Sequence, residues 1–92
     1  MATNVYLSGH LKAFTDGELE VGLSGEYATV GDVLDSLFKQ HIALRDRVLD
    51  EQGEIRQHVN IFVGRENIKR LLGLKTSVGS NDIHIFNAVS GG

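Results

Sequence analysis

Apolar residues recur along this chain in two rhythms, one of two residues and one of three to four. Val5 and Leu7 alternate with Tyr6 and Ser8, which predicts a first strand continuing unevenly through Leu11 and Phe14. Thr15-Asp16-Gly17 is turn chemistry. Leu19, Val21 and Leu23 then alternate with Glu18, Glu20 and Gly22, so the opening reads as a β-hairpin with one polar face, ended by Ser24-Gly25-Glu26. The rhythm changes after Thr29, a helix N-cap with Asp32 in the capping-box position. Val30, Val33, Leu34, Leu37 and Phe38 follow at helical spacing, and Asp35, Ser36, Lys39 and Gln40 make the opposite face. Burying each of these apolar side chains is worth roughly 1.5–3 kcal/mol before conformational entropy is charged. This helix is therefore expected to be the main cover of a sheet. Ile42, Leu44, Val48 and Leu49 predict a short second helical turn, and Asp50-Glu51-Gln52-Gly53 a solvated turn. Val59, Ile61 and Val63, alternating with His58, Asn60 and Phe62, predict a third strand. Gly64-Arg65-Glu66-Asn67 reads as a turn, and Ile68, Leu71, Leu72 and Leu74 as a short edge strand and loop. After Val78 and the turn Gly79-Ser80-Asn81-Asp82, Ile83, Ile85 and Val89 predict a final strand.

The order hairpin, helix, strand, short strand, strand lets the first and last strands lie side by side in parallel, joined through the helix. The fold class is α+β: one mixed sheet of four to five strands with one main helix across it, a β-grasp (ubiquitin-like) roll. Residues 1–88 are expected to form the domain, and 89–92 a flexible tail rooted on a strand in the middle of the sheet. Ser90, Gly91 and Gly92 have nothing to bury, so ordering entropy predicts that they move freely in the isolated protein. Four extended residues span roughly 13–14 Å. That length takes a terminal carboxylate into a partner's active site while the body stays outside. A Gly-Gly dipeptide alone is also what a frayed terminus or a linker scar shows.

Composition narrows the chemistry. Ninety-two residues make one domain with a modest core. The absence of Cys excludes disulfides, Cys-ligated zinc and a cysteine nucleophile. No apolar run approaches a membrane span and no leader pattern opens the chain, so a soluble cytoplasmic protein is expected. The net charge of −3 argues against nucleic acid as the main partner. The His residues lack metal-ligand spacing, and no carboxylate pair marks acid–base catalysis, so neither a metal site nor an enzyme is expected. Arg65, Lys69, Arg70 and Lys75 gather around the expected edge strand, where they guard it against pairing or meet an acidic partner or RNA. If Val5, Leu7, Val59, Ile61, Val63, Ile83 and Ile85 face the helix, alternation sends Tyr6, His58, Phe62, His84 and Phe86 to the other side of the sheet. Such an aromatic face either docks a partner or is spent on cross-strand packing between Phe62 and Phe86.

Several stretches resemble the ubiquitin-like sulfur-carrier family, the group of the molybdopterin synthase small subunit, the thiamine-pathway sulfur carrier and the archaeal small modifiers. Thr29-Val30-Gly31-Asp32-Val33-Leu34 resembles the family's helix entry, and Arg47-Val48-Leu49-Asp50 through Gly53 the loop after it. His58-Val59-Asn60-Ile61-Phe62-Val63 with Glu66-Asn67-Ile68 is similar to the central strand and turn, and Gly73-Leu74-Lys75-Thr76 to the lead into the last strand. Ala88-Val89-Ser90-Gly91-Gly92 resembles the family's Ala-Val-Ala-Gly-Gly end. The look is nearest to cysteine-pathway carriers and archaeal modifiers. The chain departs from the pattern at Asn87, where the family commonly has Pro; at Asn81-Asp82, for Gly-Asp; and at Gly64, where Asn is frequent. The resemblance implies that an activating enzyme of the ubiquitin-activating type uses ATP to adenylate the Gly92 carboxylate, with no cofactor bound by the chain itself. Sulfur from a persulfide donor then gives a thiocarboxylate for a synthase making molybdopterin, cysteine, thiamine or a thiolated tRNA base. Alternatively, a lysine of a target protein attacks and the chain becomes a protein modifier. On this reading Ser90, Gly91 and Gly92 are the working tail, and Tyr6, His58, Phe62, His84 and Phe86 the partner-binding face.

Overall fold

Residues that alternate in the sequence alternate in burial. Strand β1 (Ala2–Leu7) buries Thr3, Val5 and Leu7, and β2 (Glu20–Ser24) buries Val21 and Leu23. Strand β3 (Val59–Val63) buries Val59, Ile61 and Val63, β4 (Glu66–Asn67) is a two-residue edge, and β5 (Ile83–Asn87) buries Ile83 and Ile85. The computed structural model describes residues 2–87; Met1, the expected tail and the proposed 88/89 domain boundary lie outside the described residues. The strands form one mixed sheet in the order β2-β1-β5-β3-β4. β1 and β5 are parallel, with Val5 opposite Ile83 and Leu7 opposite Ile85, and the other neighbours are antiparallel. The last strand thus occupies the centre of the sheet. This is the expected β-grasp roll.

Helix α1 (Val30–Gln40) lies across the sheet and buries Val30, Val33, Leu34, Leu37 and Phe38, the side chains its period singles out. Its start is fixed by a complete capping box: Thr29 Oγ1 accepts from Asp32 N at 3.2 Å, and Asp32 Oδ2 accepts from Thr29 N at 3.3 Å. At Gly31 a Cβ would stand 3.2 Å from the Leu74 carbonyl oxygen, so glycine lets the 73–75 segment lie tightly on α1. The short helix α2 (Ile42–Val48) buries Leu44 and Val48, one helical turn apart. Ile42, two positions before Leu44, falls on the opposite side and is 79% exposed. Among the described residues no helix is long and apolar enough to cross a membrane.

Three expectations are corrected. Leu11 and Phe14 do not extend β1; they belong to a 3-10 segment, Gly9–Phe14, opened by the Leu11 N–H to Ser8 carbonyl bond of 2.9 Å. Their spacing of three is that of a 3-10 helix. The 68–75 stretch is likewise two 3-10 turns, Ile68–Arg70 and Gly73–Lys75, so the edge strand is Glu66–Asn67, within the expected turn. Leu19 precedes β2 and is half exposed. The β3–β4 turn uses Gly64 at φ +60, a left-handed conformation that Asn also tolerates.

Candidate functional site

β5 is held on both sides up to its last described residue. Asn87 pairs with Val59 of β3, and Ser8 N donates to the Ile85 carbonyl at 3.0 Å. One step on, β1 has turned off into its 3-10 segment and offers no backbone acceptor. The Ser8 side chain takes over: Asn87 N donates to Ser8 Oγ at 3.1 Å. Proline has no N–H to give. Asn87, standing where the resembled family commonly has Pro, therefore makes a bond that residue type lacks. Sequence reading missed Ser8, whose partner is 79 residues away; the only local signal is a hydroxyl one position past the last inward-facing residue of β1.

The sheet face turned away from α1 carries a row of rings. Tyr6 stacks on His84 with centroids 4.9 Å apart, and His84 on Phe86 at 6.1 Å. Phe62 meets Phe86 edge-on at 5.9 Å. The register explains the row, since His84 lies opposite Tyr6 on one side and Phe62 on the other, and Phe86 is two residues further along β5. Phe86 remains 45% exposed, while Tyr6, Phe62 and His84 are half-buried. Cross-strand packing and an open face thus coexist. Rigid rings already packed on one another lose little entropy when a partner covers them. Asn67 Nδ2 donates to Asn60 Oδ1 at 3.1 Å, giving the face a satisfied polar border on the β4 side. On the β2 side the border is acidic: Glu20, then desolvation, then Asp82 hold the Tyr6 phenol above its ordinary range, against a hydrogen bond with Asn4.

His58 stands apart from this row. It lies in the turn before β3 and lines a polar cleft of 220 Å³ with Asp46, Arg47, Arg56 and Asn87. Arg56 Nε donates to the Asp46 carbonyl at 2.7 Å, and the Arg47 guanidinium lies 4.5 Å from the centre of the Phe14 ring. These contacts join residues distant in sequence, so no local pattern announced the cleft. Lys69, in the basic group near the edge strand, reaches the Gln57 carbonyl through Nζ at 2.9 Å. Among the described residues no three His, Asp or Glu side chains gather as metal ligands. The described surface offers a partly exposed row of packed rings and a held strand end.

The ThiS family profile matches residues 5–92. The chain is 39% identical over 74 residues to small archaeal modifier protein 1 of Haloferax volcanii, covering 80% of each. The crystal structure of that organism's SAMP1 superposes with a TM-score of 0.83 over 100% of both chains, at 30% identity. Sulfur carrier protein CysO of Mycobacterium tuberculosis is 30% identical over 95 aligned positions, covering all of both proteins. A chain in the crystal structure of the Amycolatopsis orientalis BexX/CysO complex matches with a TM-score of 0.85 at 26% identity, over 98% of this chain and 99% of that one. On the extent of these matches, and on the β-grasp sheet that carries them, this chain belongs to the ThiS family of ubiquitin-like proteins.

Proposed function

We propose that this chain is a sulfur carrier whose reacting group is the carboxylate of Gly92. A carboxylate is a poor electrophile. An adenylating enzyme of the ubiquitin-activating type joins it to AMP from ATP and releases pyrophosphate. A persulfide sulfur then displaces AMP, and a thiol cleaves the resulting acyl disulfide to leave the thiocarboxylate. The chain itself acts as carrier rather than catalyst, and ATP is bound by the activating enzyme. The thiocarboxylate is delivered to a biosynthetic synthase, with molybdopterin, cysteine, thiamine and tRNA thiolation as the candidate routes. The reaction belongs in the cytoplasm, where ATP and persulfide donors are at hand.

One observation carries this reading: the ThiS-family match runs through to Gly92, so it includes Ser90, Gly91 and Gly92 as well as the body. Glycines without Cβ atoms suit a narrow channel. The ring row of Tyr6, Phe62, His84 and Phe86 is the surface the activating enzyme covers, and β5 leads from it toward the tail. The BexX/CysO complex supports a relative of this chain docking on a partner protein.

The test is ATP–pyrophosphate exchange with the adenylating enzyme of the same cell, followed by intact mass. The wild type should support exchange and gain the mass of one sulfur in place of one oxygen. The Gly92-deleted chain should melt at nearly the same temperature and support neither step. Full exchange and sulfur uptake without Gly92 would remove that carboxylate from the chemistry. A second reading rests on the 39% identity to a small archaeal modifier: conjugation through Gly92 to lysines of target proteins. Isopeptide-linked Gly92 in digests of cell protein supports it, and sulfur transfer without any such link leaves the carrier role alone.

A further inference from the structure

We infer that the arginine cleft beside the end of β5 is a second docking element, which seats on an acidic surface bordering the partner's channel. The inference rests on the carrier reading above and adds to it the chemistry of the partner. The chain carries a net charge of −3, yet Arg47 and Arg56 converge beside Asn87, the last residue of β5. The acid that lines the same cleft is Asp46, whose carboxylate is paired with Arg45 at 3.3 Å, while its carbonyl holds Arg56. Among the described residues, neither Arg47 nor Arg56 has a carboxylate within salt-bridge distance. Two acids of the preceding turn are engaged elsewhere. Asp50 Oδ1 accepts from the Gln52 and Glu54 backbone N–H groups, and Glu54 borders the 72–75 loop.

Both guanidiniums are already positioned. One rests over the Phe14 ring and the other is tied to a backbone carbonyl, so contact with a carboxylate orders little that is not already ordered. Residues 88–92 follow directly from Asn87, which lines the same cleft. An enzyme that accepts the Gly92 end and packs against the end of β5 meets these side chains beside Asn87. Exposed charges at such a rim act over about 10 Å at 0.1 M salt and act on encounter rate and orientation more than on final affinity. The ring face then supplies contact area, and the cleft turns the body so that β5 faces the channel.

The test is the association rate with the adenylating enzyme, measured by stopped flow across a range of ionic strength. The wild-type rate should fall as salt rises. R47E/R56E, checked by melting, should associate about tenfold more slowly or worse at low salt and show a flattened dependence. R47K/R56K keeps both charges and should keep the salt dependence. If the glutamate variant does not fold, R47Q/R56Q should flatten the dependence in its place. A folded charge-removed variant with the wild-type rate and slope overturns the inference. So does a lysine variant as slow as the glutamate one, because the arginines then act through packing. A wild type that supports no exchange at all removes the carrier reading and this inference together. Normal exchange with an unaltered rate for R47E/R56E removes this inference alone.

Discussion

Ser8 and Asn87 show how a departure from a family pattern is compensated one residue at a time. The Asn87 N–H would lose its partner where β1 turns away, and Ser8 Oγ receives it at 3.1 Å. A net hydrogen bond of this kind contributes about 0.5–1.5 kcal/mol. Ser8→Ala should therefore lower unfolding stability by about that amount in the natural background. In an Asn87→Pro background the same substitution should change little, because proline brings no donor to the site. The measurement is a double-mutant cycle in denaturant. Equal losses for Ser8→Ala in both backgrounds would show that Ser8 acts through its own backbone segment and not through Asn87. The same scale links two further departures: at Gly64 the positive φ is one that Asn also adopts, but an added Cβ would stand 3.3 Å from Asn81 Oδ1, so glycine here suits the Asn at 81.

At the scale of elements, Leu37 tests the packing that the helical period predicts. It is fully buried on the inward face of α1. Leu37→Ala should cost about 2–5 kcal/mol, through lost transfer energy and the cavity left behind. A loss below about half a kcal/mol in denaturant unfolding would contradict the register of α1 on the sheet. The same helix shows which parts of the fold were legible in advance. Val30 through Phe38 repeat over two turns, and β1, β2, β3 and β5 each alternate over several residues, so pattern outweighs local accident. The 9–14 and 68–75 segments lack that length. Leu11 and Phe14, and Ile68 and Leu71, stand three apart, which a short window reads as strand or loop although the chain closes 3-10 turns there. β4 has two residues and no pattern to show. The ring row was legible because alternation places Tyr6, Phe62, His84 and Phe86 on one face. His58 fell outside it because it sits one residue before β3 begins, where alternation no longer governs direction. The arginine cleft depends on Arg56 meeting Asp46 and Arg47 meeting Phe14, contacts that only the tertiary fold creates.

At the scale of the molecule, two partly apolar surfaces stand out among the described residues, and they differ in kind. On the helix side, Phe38, Ile42, Leu49 and Leu74 line an open groove, with Ile42 79% exposed and Leu72 74% exposed beside it. Those side chains are aliphatic for the most part and flank no strand that leads toward residue 92. On the sheet side the rings are stacked, bordered by polar groups and carried on the central strand, so their position relative to Asn87 is fixed by the β1 and β3 ladders. A carrier must present its end in a set orientation to a partner, and the sheet face is held in register with Asn87, the last residue of β5. Phe62→Ser with Phe86→Ser should therefore weaken binding to the adenylating enzyme by about 2 kcal/mol or more, roughly thirtyfold, as expected when packed aromatic anchors are lost. Unfolding stability should fall by about 2–3 kcal/mol, since Phe62 is half-buried and both ring contacts of Phe86 are lost, and the binding loss is read on the folded protein. Ile42→Ser with Leu72→Ser serves as the comparison and should leave binding near the wild-type value. Calorimetric titration and denaturant unfolding of both double variants separate the two effects. Wild-type affinity in a folded Phe62→Ser, Phe86→Ser protein, with a loss instead in the Ile42→Ser, Leu72→Ser protein, would move the docking surface to the helix side and leave the ring row to the internal packing of the sheet.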